Sequence, residues 1–302
     1  MKRKLPIIAI ILIFVIGLGV LAYPLVSAMI NNFTARSDAE SEIKHIQQME
    51  SAEVTKLFAE AEKYNKSLLS DIILTDPFDE EAYAAIGANY PNTFNVNSEG
   101  LICYIDIPKI NVYLPVYHGT SAEVLERGAG HLDNTAFPIG GESTHSVISA
   151  HSAFPTETFF DYLTDMEKGD EFYIHVLNRV LKYEVDEINI VEPNDTTKLN
   201  TIRGEDHVTL LTCTPYSINT HRLLVRGKRV PYDPNASETA ESFSVNNNYI
   251  YILGYRVSYL TAGIAIAVFI LFVTGVVIFI TLTRRRSQNK HKRIKKDGDG
   301  DG

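Results

Sequence analysis

A cysteine and a histidine each stand where an apolar, β-type segment ends and a loop begins. Cys213 follows Thr209–Thr212, and His151 follows Val147–Ala150. A thiol at the mouth of a strand can meet a substrate while its backbone stays fixed. An imidazole beside it can move protons between that thiol and a leaving group. The two residues therefore predict a cysteine nucleophile with a histidine general acid/base.

An arginine nine positions after Cys213 adds a fixed cation to this pair. Arg222 opens the β-type segment Arg222–Val230, and a guanidinium held on a strand can stabilise a tetrahedral oxyanion. Other interpretations stay open. Cys213 is also compatible with a small buried side chain or with a disulfide to Cys103, and Arg222 with a surface ion pair. No acidic residue that would orient His151 is evident from the spacing.

Composition excludes several classes of protein. Apolar residues make up 45% of the 302-residue chain, which is enough for a packed core and excludes wholesale disorder. Two cysteines exclude a disulfide-dense scaffold, and the absence of a Cys-x-x-Cys pair argues against zinc or redox chemistry. The net charge of −9 argues against a nucleic-acid-binding protein.

Two long apolar runs, each flanked by basic residues, predict two membrane spans. The first extends from Leu5 to about Ala22 behind Lys2–Lys4, and the second from about Val257 to Leu282 ahead of Arg284–Arg286. Each approaches or exceeds the roughly 20 residues that cross a hydrocarbon core. A cleaved signal peptide is the alternative for the first run. The flanking positive charge predicts cytoplasmic termini, so the acidic interior faces outward as an external domain of a two-pass protein.

Hydrophobic periodicity divides the external part into a helical start and a β-rich remainder. Apolar residues at three- or four-residue steps predict an amphipathic helix or helix pair from about Thr34 to Leu69. The remainder predicts short strands separated by turns, with one helical insert at about Thr156 to Met166. The predicted strands are Leu101–Ile107, Val147–Ala150, Glu171–Leu177, Val180–Ile190, His207–Thr212 and Arg222–Val230. Many short strands predict a mainly β fold, either a closed barrel or a sandwich.

The residues around Cys213 and Arg222 resemble the active-site signature of sortases, the surface cysteine transpeptidases of Gram-positive bacteria. The resemblance lies in Thr209–Tyr216 and His221–Gly227, and it continues upstream in Tyr104–Ile110, Pro115–Thr120, Arg127–Leu132 and Pro138–Gly141. It implies an eight-stranded β-barrel. It also implies that Cys213 is the nucleophile, His151 the general acid/base and Arg222 the cation on the oxyanion side.

A second signature resembles class C of this family, the pilin polymerases. Class C sortases carry an N-terminal lid whose Asp-Pro-aromatic tip occupies the active-site cleft. Here Asp76, Pro77 and Phe78 stand just before the predicted barrel. The resemblance implies that Asp76 approaches Cys213 or Arg222 and that Phe78 fills the substrate groove. For these three residues taken alone, an ordinary turn is the alternative. The C-terminal apolar run also fits class C better than the housekeeping sortases.

The chain departs from the family pattern in two loops. Ser152 and Ala153 follow His151 where the family has Arg-Gly, and Ser217 stands where it has glycine. Phe78 occupies a position where tryptophan is also common. No catalytic group is lost, so the departures concern the groove, the loop after the cysteine and lid closure. Four other histidines in motif segments are interpreted as structural: His118, His131, His145 and His221.

The resemblance implies a transpeptidation that needs no cofactor. Cys213 would cleave an LPXTG-like sorting signal near the C-terminus of a pilin subunit, and the acyl-enzyme would pass to an acceptor lysine of another pilin. Transfer to an amine conserves an amide-level bond, so neither a metal nor a nucleotide is required, and no nucleic acid is expected as a partner. Two alternatives stay open. One is a housekeeping-type sortase that transfers proteins to a cell-wall precursor, and the other a non-enzymatic surface scaffold with Cys213 oxidised to Cys103.

These patterns divide the chain into six segments at a bacterial cell membrane. They are a cytoplasmic start with the first span (1–30), membrane-proximal helices and lid (31–97), the catalytic barrel (98–232), a linker (233–256), the second span (257–283) and a basic cytoplasmic tail (284–302). The expected fold is therefore mainly β: a sortase-like eight-stranded barrel with N-terminal helices and a lid, flanked by two transmembrane helices.

Overall fold

The computed structural model of the chain contains a closed eight-stranded β-barrel. The structure describes residues 49–68, 76, 78, 93–97, 99–154, 158–233, 249–252 and 255–258, with scattered positions at 14–23 and 261–275. It divides into two compact units, Met1–Ser242, which holds the barrel, and Phe243–Gly302. This division falls within the segment that the sequence predicts to be a linker.

Eight strands between Leu101 and Val230 form the barrel. They are β1 (Leu101–Ile107), β2 (Val112–His118), β3 (Ala129–His131), β4 (Thr144–Ser149), β5 (Glu171–Val176), β6 (Arg179–Val191), β7 (Asp206–Thr214) and β8 (His221–Val230). Around the barrel their order is β1-β2-β3-β4-β7-β8-β6-β5, and β5 closes on β1. The β2–β3 and β4–β7 pairs are parallel. Of the two architectures that the sequence leaves open, the structure is the closed barrel.

Apolar side chains that point inward fill the barrel. Strand β2 shows the alternation of inward and outward side chains clearly, because every second residue from Val112 to His118 is buried. The rings of Phe172 and Tyr183 stack at 5.5 Å inside the barrel. A Cβ at Gly227 of β8 would lie 2.4 Å from the Phe172 ring, so only glycine fits where that ring meets the strand. Closure of the sheet leaves no open edge strand in the barrel.

The helix α1 (Ser51–Ser67) packs on the barrel through one face. Its buried residues recur at three- or four-residue steps: Val54, Leu57, Phe58, Ala61 and Asn65. The Asn65 side chain donates to the Phe137 carbonyl (3.1 Å) and accepts from the Phe137 amide (2.7 Å). Arg179 of β6 lies over the Phe58 ring, 3.9 Å from its centroid. Periodicity thus predicts this helix correctly, and residues 34–48 of the predicted helical stretch lie outside the described residues.

The helical insert predicted at about Thr156 to Met166 is wrong. The described residues of this stretch form bends and one 3-10 turn, Leu163–Asp165. Phe159, Phe160 and Leu163 all join the main core cluster. These three side chains reach the core from an irregular loop and not from one face of a helix. Their spacing in the sequence nevertheless resembles that of an amphipathic helix, which explains the error. A short helix does form elsewhere, α2 (Ala122–Arg127), capped by the Ser121 side chain.

The two predicted membrane spans lie largely outside the described residues. Among the residues that are described, no helix is long and apolar enough to cross a membrane. The second unit contains an antiparallel hairpin of β9 (Tyr249–Ile252) and β10 (Tyr255–Ser258). This β-structure occupies positions for which the sequence predicts the end of a linker and the start of a helix.

Candidate active site

Strand register brings Cys213, Arg222 and His151 to one end of the barrel. Cys213, the second-last residue of β7, pairs directly with Arg222 of β8. The parallel strand β4 sets Ser149 beside Leu211 of β7. Continuing that register by two residues places His151 beside Cys213. Because neighbouring strands lie about 4.8 Å apart, the three side chains can reach one substrate bond, as the resemblance implies.

Hydrogen bonds on both sides of the histidine and the cysteine tie the ends of β4 and β7 together. The Thr212 hydroxyl donates to the Ala150 carbonyl (2.7 Å), and the Ser152 hydroxyl donates to the Cys213 carbonyl (2.8 Å). The Ala150 amide donates to the Leu211 carbonyl (3.1 Å). Buried hydrogen bonds of this kind hold a defined geometry, so the barrel frame fixes the backbone of both reactive residues.

Cys213 and His151 both rest in their neutral forms. Burial raises the pKa of the Cys213 thiol; the Arg222 charge opposes that shift and the Asp76 carboxylate adds to it. Burial also lowers the pKa of His151, and the exposed Glu126 carboxylate opposes that shift. A thiol with a raised pKa and an imidazole with a lowered pKa are both uncharged at pH 7. The site therefore needs a proton transfer, or a change in its surroundings, before a thiolate can attack.

The imidazole of His151 contacts two phenylalanine rings. It stacks on Phe154 with ring centroids 5.5 Å apart and an angle of 15° between the planes. Phe78 lies 5.7 Å away at 39°. Phe154 belongs to the loop that follows His151, whereas Phe78 comes from the segment before the barrel. The second ring therefore contacts the general acid/base candidate from outside the barrel.

Arg222 is held in a buried ion pair by the other described residue of the predicted lid tip. Its Nε donates to Asp76 Oδ1 (2.9 Å) and its Nη2 to Asp76 Oδ2 (2.5 Å), and both side chains are at most 10% exposed. Nη1 donates to the carbonyls of Asn219 (3.1 Å) and His221 (3.2 Å). Asp76 thus engages the guanidinium that, by the resemblance, would stabilise the oxyanion. Of the two partners that the resemblance implies for Asp76, the direct contact is with Arg222; Pro77 lies outside the described residues.

A largely apolar groove lies beside this ion pair. Its lining includes Leu199, Leu211 and Leu224 together with Val191, Asp76 and Arg222. Phe78 packs against the same cluster of leucines. Burial of apolar surface is the main source of affinity for an extended apolar peptide segment. Asp76 and Phe78 therefore both lie against the side chains that line the groove.

Comparison with known proteins agrees with this arrangement. The Sortase domain family model matches residues 105–230, which extend from β1 to the end of β8. The crystal structure of sortase C-1 from Streptococcus pneumoniae superposes with a TM-score of 0.59 at 43% sequence identity, covering 63% of this chain and 96% of that one. The chain belongs to the sortase family.

Other relatives place the barrel among several kinds of sortase. Sortase C-1 from Actinomyces oris superposes with a TM-score of 0.54 at 44% identity, covering 59% of this chain and 99% of that one. Sortase D of Bacillus subtilis is 33% identical over 129 residues, which are 42% of this chain and 62% of that protein. The match thus spans about three fifths of the curated relative. Sortases are cysteine transpeptidases, so the chain is an enzyme of that class.

The remaining titratable candidates in this sortase have structural partners. His131 Nε2 bonds the Ala136 carbonyl (2.8 Å), and burial lowers the pKa of that imidazole to about 3. His145 lies between the Thr209 hydroxyl and the Asn200 carbonyl. His118 Nε2 bonds the Phe94 carbonyl (3.0 Å), and His221 pairs with Glu192 at 3.3 Å. These contacts agree with the prediction that the four histidines are structural. In the part of the chain that the structure describes, no cluster of three metal-binding side chains occurs.

Both cysteines of this sortase are free thiols. Cys103 is buried in β1, where burial raises the pKa of its thiol well above the usual range. Cys213 forms no disulfide with it. The disulfide that the scaffold interpretation requires is therefore not present between these two described residues.

Ala153 and Ser217, which depart from the family pattern, both adopt the left-handed backbone conformation. Ala153 has φ of 62° and Ser217 has φ of 63°, in the left-handed region that glycine adopts most readily. An aspartate that sequence reasoning missed, Asp161, accepts a hydrogen bond from the Ala153 amide at 2.9 Å. Nothing in the sequence marks Asp161, because its contacts are to backbone atoms of a loop rather than to a motif.

Proposed function

We propose that this sortase is a class C enzyme that joins pilin subunits covalently. Cys213 is the nucleophile, His151 the general acid/base and Arg222 the cation that stabilises the oxyanion. The observation that carries the proposal is the lid tip, since Asp76 pairs with Arg222 while Phe78 contacts His151. The likeness to sortase C-1 supports the same class. So does the likeness to a pilus-related sortase C of Group B Streptococcus, which is 42% identical, with a TM-score of 0.56, over 62% of this chain and 94% of that one.

The reaction divides into two displacements at one carbonyl. The Cys213 sulfur attacks the Thr–Gly carbonyl carbon of an LPXTG-like sorting signal while its proton passes to His151. Arg222 and nearby backbone amides stabilise the resulting oxyanion, and His151 returns the proton to the departing glycine amine, leaving a thioester. A lysine amine of the next pilin then attacks that thioester, and the thiol leaves. The product is an isopeptide bond, so the reaction neither consumes a nucleotide nor requires a metal.

The lid is autoinhibitory in this proposal. While Asp76 binds Nε and Nη2 of Arg222, a carboxylate occupies the edge of the guanidinium that could otherwise bind an oxyanion. Asp76 also contributes to the raised pKa of Cys213, so the same carboxylate keeps the thiol protonated. Departure of the lid tip exposes the imidazole, the guanidinium and the groove together. One movement therefore controls nucleophile, cation and substrate access.

The flanking apolar runs complete the proposal with a membrane location. Two spans would hold the barrel on the outer face of a bacterial cell membrane, where secreted and membrane-retained pilins emerge. Tethering enzyme and substrate to one surface raises their effective concentration. The acidic interior of the chain, which carries most of the 37 Asp and Glu residues, would then face outward.

A housekeeping-type sortase is the second candidate function. It would use the same three residues and differ only in the amine acceptor, a cell-wall precursor instead of a pilin lysine. The curated relatives named sortase A, such as that of Bacillus anthracis at 22% identity over 229 residues, favour considering it. The lid tip on Arg222 and His151 favours the pilin polymerase.

A ladder assay with full-length protein in detergent tests the proposal. Purified pilin with its sorting signal is incubated with the wild-type enzyme, Cys213→Ala or Asp76→Ala, and covalent ladders are sought after boiling in detergent. We expect the strongest ladder with Asp76→Ala and none with Cys213→Ala. Release of the signal fragment without a ladder would favour the wall-anchoring function. A ladder that persists without Cys213 would contradict the proposal.

A further inference from the structure

A partly buried carboxylate lies between the loops that follow His151 and Cys213. Asp161 Oδ1 accepts from the Ala153 amide (2.9 Å), and Oδ2 accepts from the Phe159 amide (3.0 Å). From the loop after Cys213, the Tyr216 hydroxyl interacts with the same carboxylate, and together with burial this interaction raises the pKa of that hydroxyl. Asp161 therefore contacts both loops without touching either reactive side chain.

The contact to Ala153 falls where the backbone is strained. Ala153 stands two residues after His151 in the left-handed region, which is unfavourable for a residue that carries a Cβ. The amide that Asp161 holds belongs to this same residue. Because the Phe160 amide also donates to the His151 carbonyl (3.0 Å), the loop folds back on the histidine. A shift at Ala153 would therefore rotate His151 away from Cys213.

The loop after Cys213 has the same strain next to its contact with Asp161. Ser217, also left-handed, directly follows Tyr216. Side chains thus stand at both positions where a glycine would adopt this conformation freely. The Asp161 carboxylate accepts a hydrogen bond from Ala153 itself and interacts with Tyr216, the neighbour of Ser217. Charge-assisted hydrogen bonds to a carboxylate are among the stronger ones in proteins.

We propose that Asp161 is a positioning residue that holds the loops after His151 and Cys213 in register for the transfer reaction. The inference rests on the proposed function and extends it to a residue that touches neither substrate nor reacting atoms. Asp161 holds Ala153 in its left-handed conformation, which orients His151, and it holds Tyr216, which orients the loop after Cys213. Asp161→Asn would keep the size of the side chain, but its N–H₂ group would face one of the backbone amides that donate to the carboxylate.

A matched control exists at the other end of β7. Asp206 is also a partly buried carboxylate that accepts from a backbone amide, that of Gly141 (2.9 Å), and from a tyrosine hydroxyl, that of Tyr183 (2.9 Å). It lies seven residues from Cys213, about 23 Å along the strand at about 3.3 Å per residue. Asp206→Asn therefore removes the same kind of contact without reaching the active site.

The test compares four variants in full-length protein with the lid released by Asp76→Ala. Asp161→Asn is expected to lower kcat for cleavage of a sorting-signal peptide about tenfold with KM changed less than about twofold, because an orienting contact and not substrate binding is lost. Adding Ala153→Gly to Asp161→Asn should restore kcat to within about threefold of the parent, since glycine needs no support in this conformation. Tyr216→Phe should lower kcat about threefold, and Asp206→Asn should lower the melting temperature while leaving kcat unchanged.

A substrate-free measurement keeps this inference separate from the proposed function. The His151 ring stacks on Phe154, so its NMR signals carry a ring-current shift that should shrink in Asp161→Asn, return with Ala153→Gly and stay in place in Asp206→Asn. If no variant cleaves a sorting signal, the proposed function fails while this signal still decides the role of Asp161. The inference is overturned if Asp161→Asn changes kcat and the His151 signal no more than Asp206→Asn does, if Ala153→Gly restores neither, or if Tyr216→Phe leaves kcat unchanged.

Discussion

Two arginines on the same face of β8 form the same kind of ion pair with different parts of the chain. Arg226 binds Asp186 through Nε (3.1 Å) and Nη2 (2.6 Å), and its Nη2 also lies 2.9 Å from Glu187. Arg222, four residues earlier, binds Asp76 through the same two nitrogens. Asp186 belongs to β6, the strand paired with β8, whereas Asp76 comes from outside the barrel.

The two pairs differ in whether their partners can move apart while the barrel stays folded. The Arg226–Asp186 pair joins two neighbouring strands at a bulge in β6, so both partners stay close together as long as these strands are paired. The partner of Arg222 comes from outside the barrel, so Asp76 can move away while every barrel strand stays paired. Similar geometry therefore serves a structural role in one case and, in our proposal, a regulatory role in the other. The position of the partner in the chain distinguishes the two roles.

The largest expected contrast is between the two arginines themselves. Arg222→Ala should lower transpeptidation kcat roughly 100- to 1,000-fold, the range seen when an oxyanion donor is removed. Arg226→Ala should leave kcat nearly unchanged and lower the free energy of unfolding by about 1–2 kcal/mol, because its partners are partly exposed. Steady-state kinetics and chemical denaturation of both variants measure this. Equal loss of kcat in the two would remove the distinction.

The carboxylate partners should differ in the same sense. Asp76→Ala should speed labelling of Cys213 by a small thiol reagent at pH 7 about tenfold, which corresponds to about 1.4 kcal/mol of lid closure. Asp186→Ala should leave that labelling rate at the wild-type value and lower the melting temperature instead. Stopped-flow labelling followed by intact mass measures the rate, and Cys213→Ala gives the background. An unchanged rate in Asp76→Ala would contradict lid autoinhibition.

The pH dependence of labelling separates charge from access. Burial raises the pKa of Cys213, Arg222 lowers it and Asp76 raises it. Asp76→Asn keeps the size of the side chain and removes its charge, so the Arg222 contribution remains unopposed. The labelling rate plotted against pH should therefore rise at lower pH in Asp76→Asn than in the wild type. The profile of Asp186→Asn should match the wild type, and a shift toward higher pH in Asp76→Asn would show that the sign is wrong.

The smallest expected effect concerns the aromatic ring of Phe78. The Arg222 guanidinium lies 5.0 Å from the Phe78 centroid, a contact worth about 0.5–1 kcal/mol at such sites. Phe78→Ala should thus speed Cys213 labelling by about two- to fivefold, less than Asp76→Ala does. Phe58→Ala is the matched control, because Arg179 covers that ring on α1. Phe58→Ala should lower stability and leave labelling alone.

Sequence reasoning recovers the parts of the fold that repeat a simple period. β1 spans the predicted Leu101–Ile107, and β8 extends the prediction by one residue. The three-residue strand β3, Ala129–His131, has too few side chains to show a period. The irregular loop after His151 buries its phenylalanines one by one, which imitates a helix. Local patterns thus predict most of the long elements, with the seven-residue β2 as an exception, and miss those that only tertiary contacts define.

The same limit applies to the active site. The cysteine, histidine and arginine stand in recognisable segments, and the resemblance brings the lid motif with them. The pairing of Asp76 with Arg222 spans 146 residues, so spacing alone could not reveal it. Asp161 carries no motif, because its role depends on backbone amides that the fold brings together. The only trace of it in the sequence is indirect, in the side chains that replace glycine at 153 and 217.

The most direct test of the central claim is to trap the acyl-enzyme. Full-length Asp76→Ala is mixed with a sorting-signal peptide without an amine acceptor, and intact-mass and peptide mapping locate any adduct. We predict a thioester on Cys213 that carries the peptide up to its threonine, together with release of the glycine-containing fragment, and no adduct in Cys213→Ala. Cleavage without an adduct on Cys213, or an adduct that survives its replacement by alanine, would contradict the account.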